Sequence, residues 1–340
     1  MIKIAANISL KINKSQSELD KIVRKIIERR ITSMAYMTIM NKNVYYEICG
    51  AEYSNTLLYL HGGPGASCLD FTNQAKALGK KMRTIIFDQL GVLRSDAISK
   101  DEDYSMEYQI EMLEEMRKSL GIEKWSILGH SYGGMLAVLY AFRYPTSIHK
   151  MILECPSLWF ENSAKSVAEY VTGYIDSLQI EAASKFCEKI KATDYQGRPE
   201  IALDLIALLN YVTDQKLRNY LHGISYEEYQ KSMDTNGITE EMWSKGNQHV
   251  MKLLEMPMQN DSSEKRATML DNFLPMIQKE TLSILLINGR YDPACSRYQI
   301  EYMLNNVQDI TQVTFENSGH FPRIEEAELY TDTVLGFLEV

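Results

Sequence analysis

The pentapeptide Gly129-His130-Ser131-Tyr132-Gly133 constrains this chain more than any other stretch. It lies between an apolar run, Ser126-Ile127-Leu128, and a segment from 132 to 143 with helical spacing of apolar residues. Glycines two positions either side of a serine let a strand turn sharply into a helix without a Cβ clash. The hydroxyl is then presented at a helix N-terminus, where free N–H groups favour a developing negative charge. A strand–serine–helix elbow also demands a sheet whose neighbouring strands reach the same edge. Short apolar runs supply them at Leu57–Leu60, Thr84–Phe87, Met151–Leu153, Ser283–Asn288 and Gln312–Phe315, with helical stretches at 71–81, 106–119 and from about 325. Strands alternating with helices predict an α/β fold, with a mostly parallel central sheet and helices on both faces. Met34 to Ile48, broken at Asn41-Lys42-Asn43, reads as a hairpin.

The alternation stops after Cys155-Pro156, and 156–278 is dense in Tyr, Glu, Lys and Met at helical spacing, as in Ile201, Leu205, Leu208 and Leu209. The expected organisation is therefore a core of 34–155 and 279–340 with an inserted helical cap of 156–278. Residues 1–33 form a leader in which Ser15-Gln16-Ser17-Glu18 has the form of a capping box. An amphipathic helix with a basic face is expected from about 16 to 30.

Composition narrows the classes of function. The 340 residues carry 36 Lys and Arg against 45 Asp and Glu, a net charge of −9, which argues against binding a phosphate backbone. No nucleic-acid partner is expected. The five cysteines are an odd number, widely spaced and without a C-x-x-C pair, so a disulfide framework or zinc cluster lacks its spacing. A reducing cytoplasm fits that usage. No run approaches 18 apolar residues, and no membrane association is expected.

A second glycine motif, His61-Gly62-Gly63-Pro64-Gly65, follows the strand Leu57–Leu60. Backbone N–H groups in such a loop can face a cavity, and the N–H of the residue after the nucleophile can join them. Gly63 and Tyr132 are the expected oxyanion donors. A serine nucleophile needs a base, and the base an orienting acid. Of the six histidines only His320 lies on a loop after a late core strand, in Asn317-Ser318-Gly319-His320-Phe321. Asp292, in Gly289-Arg290-Tyr291-Asp292, follows the strand ending at Asn288, and Glu154 is its rival for the acid. Ser131, Asp292 and His320 then form an acyl-transfer triad that needs no metal and no organic cofactor.

His61–Gly65, Asp88-Gln89-Leu90-Gly91, the Ser131 elbow, Gly289–Asp292 with Cys295, and Gly319-His320 together resemble the prolyl aminopeptidase (proline iminopeptidase) family of α/β-hydrolases. The resemblance covers roughly 35–155 and 280–340. It implies that Ser131, Asp292 and His320 act as nucleophile, orienter and base, and that a helical cap admits a short peptide by its free N-terminus. It also implies cap carboxylates for the substrate ammonium, for which Glu154 at the cap junction and Glu227, Glu228, Glu240, Glu241, Glu255 and Asp261 are the candidates. Two departures stand out: Leu93 occupies a position where the family has a glycine, and Tyr132 one where many members have Trp. The alternatives left open are an esterase, amidase or lactonase acting on another small acyl substrate through the same frame, and a silent hydrolase fold used for binding.

Overall fold

The computed structural model describes residues 32–99, 101, 102, 104–233, 235–255 and 266–340. The expected leader helix and Asp261 lie outside the described residues.

Eight strands form one sheet: β1 (Thr32–Ile39), β2 (Lys42–Cys49), β3 (Thr56–Leu60), β4 (Arg83–Phe87), β5 (Trp125–His130), β6 (Ile148–Glu154), β7 (Ile284–Gly289) and β8 (Ile310–Phe315). Their order is β1-β2-β4-β3-β5-β6-β7-β8. β1 pairs antiparallel with β2, and β2 antiparallel with β4; every other neighbouring pair is parallel. The β1–β2 hairpin turns on Met40 and Asn41, both at positive φ, the twist that matches the strands.

Three helices belong to the first half of the core: α1 (Thr72–Leu78), α2 (Met106–Ser119) and α3 (Tyr132–Arg143). The Ser105 hydroxyl caps α2 by accepting from Tyr108 N, and Arg117 and Lys118 lie in its last turn, where positive charge suits the helix dipole. The cap follows as α4 (Phe160–Leu178), α5 (Glu181–Ala192), α6 (Glu200–Leu209), α7 (Gln215–Arg218), α8 (Tyr226–Lys231), α9 (Glu240–Glu255) and α10 (Leu274–Ile277). The core resumes with β7, then α11 (Arg297–Asn306), β8, α12 (Pro322–Glu325) and α13 (Ala327–Leu338).

The central strands are apolar on both faces because both faces are covered. Leu57, Tyr59, Leu128 and Ile152 point into the layer closed by α1 and α13, through Phe71, Leu78, Tyr330 and Val334. Leu58, Leu60, Ile127 and Leu153 point the other way, into a larger cluster that runs through Leu136 and Tyr140 of α3 to Val167, Val171 and Ile201 of the cap. The cap is thereby packed on the sheet side that carries the serine elbow. Among the described residues no helix is long and apolar enough to cross a membrane.

Candidate active site

β5 ends at His130 and α3 begins at Tyr132, so Ser131 alone makes the turn, at φ 53° and ψ −118°. The flanking glycines are required by close backbone approach. A Cβ on Gly129 would run into Gly133 O, and one on Gly133 into Leu60 O while lying 2.9 Å from His61 O. The strain at Ser131 is held by packing on every side, since all residues from Trp125 to Ala141 are buried.

The His61–Gly65 loop lies directly against this turn. A Cβ on Gly62 would sit 3.0 Å from the Ser131 Cβ, and Gly63 and Tyr132 both line the cavity that Ser131 faces. Two bonds hold the loop from behind: Gln89 N donates to His61 Nε2 at 3.1 Å, and Gln89 Nε2 donates to His61 O at 3.1 Å. Asp88 accepts from the Ser67 hydroxyl at 2.6 Å and from Arg94 Nε at 2.6 Å. Burial alone would raise the Asp88 carboxyl, but the hydrogen bond and charge of Arg94, with the Ser67 bond, hold it below the usual carboxylate range. Leu93 takes φ 32°, in the left-handed region that favours glycine, and buries its side chain beside cap residues Met233, Ile238 and Met242. The leucine thus exchanges a backbone cost for apolar contact with the cap.

Asp292 and His320 come together from the ends of β7 and β8. His320 Nδ1 donates to Asp292 Oδ1 at 2.9 Å, and the same oxygen accepts from Ala294 N at 2.8 Å. With Nδ1 carrying the proton, Nε2 is left as the basic nitrogen. His320 lines the cavity with Ser131. Its backbone N–H donates to Tyr220 O of the cap at 2.9 Å, and the Tyr220 ring stands edge-on to the imidazole. Glu325 completes the mounting. Its carboxylate accepts from Gly319 N (2.9 Å) and Phe321 N (3.3 Å) on the histidine loop and from His222 N (2.7 Å) and Gly223 N (2.5 Å) on the cap.

Among the described residues one set of metal-ligand type comes together: Cys155, Asp292 and His320, with ligand atoms within 4.8 Å of one another. His320 Nδ1 and Asp292 Oδ1 are spent on each other, and burial, with the Asp292 charge nearby, pushes the Cys155 thiol well up, away from the thiolate a metal needs. The set fits an oriented base with a neutral thiol beside it better than a metal centre.

The cavity measures about 340 Å³. Its apolar wall is Met135, Phe160, Ala164, Val167, Leu205 and Met269, and its polar wall includes Asp70, Arg218 and Asn219. None of the expected substrate-binding carboxylates with a described side chain lines it. Glu154 is fully buried beneath it, bonded to Arg323 Nη1 at 2.9 Å and the Tyr330 hydroxyl at 3.1 Å, which also removes it as a rival to Asp292. Glu227 is exposed and pairs with Lys231 at 2.7 Å, while Glu228 closes a capping box with Ser225 on α8. Glu240 and Glu241 are exposed in the first turn of α9, where acidic side chains suit the helix dipole. At Glu255 only the backbone is described.

The carboxylate that does line the cavity is Asp70, which the motifs did not single out. Arg323 Nη2 donates to Asp70 Oδ2 at 2.5 Å, and the Tyr59 hydroxyl donates to Oδ1 at 3.0 Å. One buried guanidinium between Asp70 and Glu154 balances only one of two carboxylates. Burial pushes the Glu154 carboxyl up against the pull of Arg323, and it pushes the His130 imidazole down, with Arg323 acting in the same sense. The only hint in the sequence was a lone acid flanked by apolar neighbours, Leu69-Asp70-Phe71.

A family model described as the alpha/beta hydrolase fold matches residues 55–327. A protein named proline iminopeptidase from Saccharolobus solfataricus is 26% identical over 309 residues, covering 89% of this chain and 91% of the relative. One of the same name from Clostridium botulinum is 26% identical over 306 residues, covering 88% and 95%. A solved structure described as a proline iminopeptidase-related protein from Thermus thermophilus superimposes with a TM-score of 0.65 at 18% identity, covering 91% of this chain and 97% of the other. At that identity the likeness is one of fold.

Proposed function

This chain belongs to the alpha/beta hydrolase fold family and is a hydrolase, and from that premise we propose that Ser131 is its nucleophile and that it releases an N-terminal residue, of the proline type, from short peptides. The observation that carries the reading is the 2.9 Å bond from His320 Nδ1 to Asp292 Oδ1 on the wall of a cavity that also holds Ser131. His320 Nε2 takes the Ser131 proton as the hydroxyl attacks the acyl carbonyl, while the N–H groups of Gly63 and Tyr132 receive the oxyanion. Collapse of the tetrahedral intermediate breaks the bond to the leaving amine, which takes the proton from His320. Water then attacks the serine ester by the same route, and Ser131 is regenerated.

The aminopeptidase reading rests on the names of the relatives and on the cavity. Its apolar wall suits a small ring or aliphatic side chain, and Asp70 is the carboxylate on hand for a substrate ammonium. A peptide met in the cytoplasm suits a chain whose five cysteines are all buried. A specific observation favours a second reading: among the described residues the cap contributes Arg218 to the cavity and no carboxylate. A cationic cap wall suits an ester, amide or lactone whose acyl part is neutral or anionic.

Pro-, Ala- and Leu-arylamides, N-blocked Pro-arylamide and short-chain aryl esters, assayed with Ser131→Ala as control, separate the two. Turnover of free but not blocked aminoacyl arylamides is the expected result. Ester turnover alone moves the function to the second reading, and retention of activity in Ser131→Ala removes the nucleophile.

A further inference from the structure

Beside the catalytic cavity lies a second hollow of about 520 Å³, lined by Tyr226, Tyr229 and Met233 from the α8 region and by Ile238 and Trp243 at the start of α9. It adjoins the first, since Ala66, Asp70 and Tyr229 line both. Trp243 keeps 40% of its surface exposed, an apolar ring that the fold leaves available.

The direction of the chemistry decides what this hollow faces. The base that takes the nucleophile's proton gives it to the departing heteroatom, so the leaving group occupies the histidine side of Ser131. On that side a row of rings runs outward. The His320 imidazole is 5.3 Å from the Phe321 ring, Phe321 is 5.0 Å from Tyr229, and Tyr229 is 6.2 Å from Tyr226. The row begins in the catalytic cavity and ends in the second hollow. The wall of Met135, Phe160, Ala164, Val167, Leu205 and Met269 contributes nothing to that hollow and is left for the acyl side.

We propose that the hollow bounded by Tyr226, Tyr229, Met233, Ile238 and Trp243 is the leaving-group site, and that it selects substrates whose departing amine bears a bulky apolar or aromatic group; in a peptide this is the side chain of the second residue. The proposal rests on the reading of Ser131 as nucleophile. When the C–N bond breaks, its electron pair stays on nitrogen and the proton held by His320 is added there.

The test varies the leaving group and holds the acyl part fixed. kcat/KM is measured for L-proline 2-naphthylamide and L-prolinamide with wild type, Gln230→Trp and Trp243→Ala; Gln230 is an exposed residue on the rim whose enlargement fills the hollow from outside the core. The ratio of naphthylamide to amide should fall at least tenfold in Gln230→Trp and at least threefold in Trp243→Ala. An unchanged ratio in both variants overturns the proposal. Binding gives a readout free of turnover: 2-naphthylamine titrated into Ser131→Ala should bind saturably, and adding Gln230→Trp should abolish it. Absence of saturable binding overturns the proposal whatever acyl group the enzyme prefers. Labelling of wild type, but not Ser131→Ala, by a fluorophosphonate reads the nucleophile on its own, so failure of the leaving-group site and failure of the hydrolase mechanism are told apart.

Discussion

On the sheet side of the active site every residue from Trp125 to Ala141 is buried, whereas on the cap side α8 buries none of its residues and α9 presents Trp243 and Met251 to solvent. The sheet side positions Ser131 by backbone pressed on backbone, at Gly129 against Gly133 and at Gly133 against Leu60. The cap reaches the catalytic loops at a few points: Gly246 against Gly65, Lys245 Nζ donating to Leu93 O at 3.1 Å, and Tyr220 O against the His320 N–H. The first region leaves little freedom to change a side chain without moving Ser131. The second can change its lining while the chemistry stays in place. A fold divided in this way can keep the frame of a site while the lining around it changes.

The hardest test of that contrast is Gly133→Ala set against Glu227→Gln. The new methyl would meet Leu60 O and lie 2.8 Å from Leu60 C, and main-chain atoms in the centre of a sheet cannot swing aside. A loss of about 3 kcal/mol of stability is expected, near the upper end of overpacking costs. Displacing the Tyr132 N–H should also lower kcat by about 100-fold. Among the described residues Glu227 makes only an exposed pair with Lys231, so its replacement should shift stability by less than about 0.5 kcal/mol. Urea unfolding and initial rates measure both. Comparable effects from the two substitutions would erase the distinction between the regions.

The same division separates what could be read from the sequence from what could not. The placement of the elbow, of the His61–Gly65 loop, and of Asp292 and His320 at the ends of late strands was legible because it depends on glycines or on fixed positions relative to a strand, which are local patterns. The α/β alternation was legible because buried parallel strands are short apolar runs. Asp70, Arg323 and Glu325 were not, because their partners are distant in the chain. Arg323 reaches Asp70 across 253 positions and Glu154 across 169, and Glu325 grips amides 102 and 103 positions away. The cap glutamates misled for a related reason. A carboxylate that caps its own helix or pairs one turn away looks, in sequence, the same as one that faces a ligand.

Glu325 tests where the rigid side ends, since it binds the histidine loop and the cap with one carboxylate. Glu325→Gln keeps the shape but replaces one acceptor oxygen with a donor that faces backbone N–H groups. Stability should fall by about 1–2 kcal/mol, as for hydrogen bonds to a charged group. Misplacing His320 should lower kcat about tenfold with KM within about twofold. A change confined to KM would mean that Glu325 orders only the cap, and that the rigid side stops at His320.

The smallest effect probes the seam between the regions, where His249 of α9 is fully buried against the core and its Nδ1 meets Leu90 O at 2.6 Å. Burial lowers its pKa to about 3, against 6.5 for an ordinary imidazole. Between those values the folded protein keeps this side chain neutral while the unfolded chain takes up a proton. Stability therefore falls as pH drops below about 6.5, by at most about 1.4 kcal/mol per pH unit for this one group. His61 and His130 on the core side, lowered by burial in the same direction, add to that acid sensitivity. His249→Asn retains a donor for Leu90 O and removes one titrating group, so the urea midpoint should decline less steeply from pH 6.5 to 4.5, while the two core histidines keep the slope from vanishing. If the slope were unchanged, His249 would be taking up its proton in the native protein, and the α9 seam would have to open to water without the core unfolding.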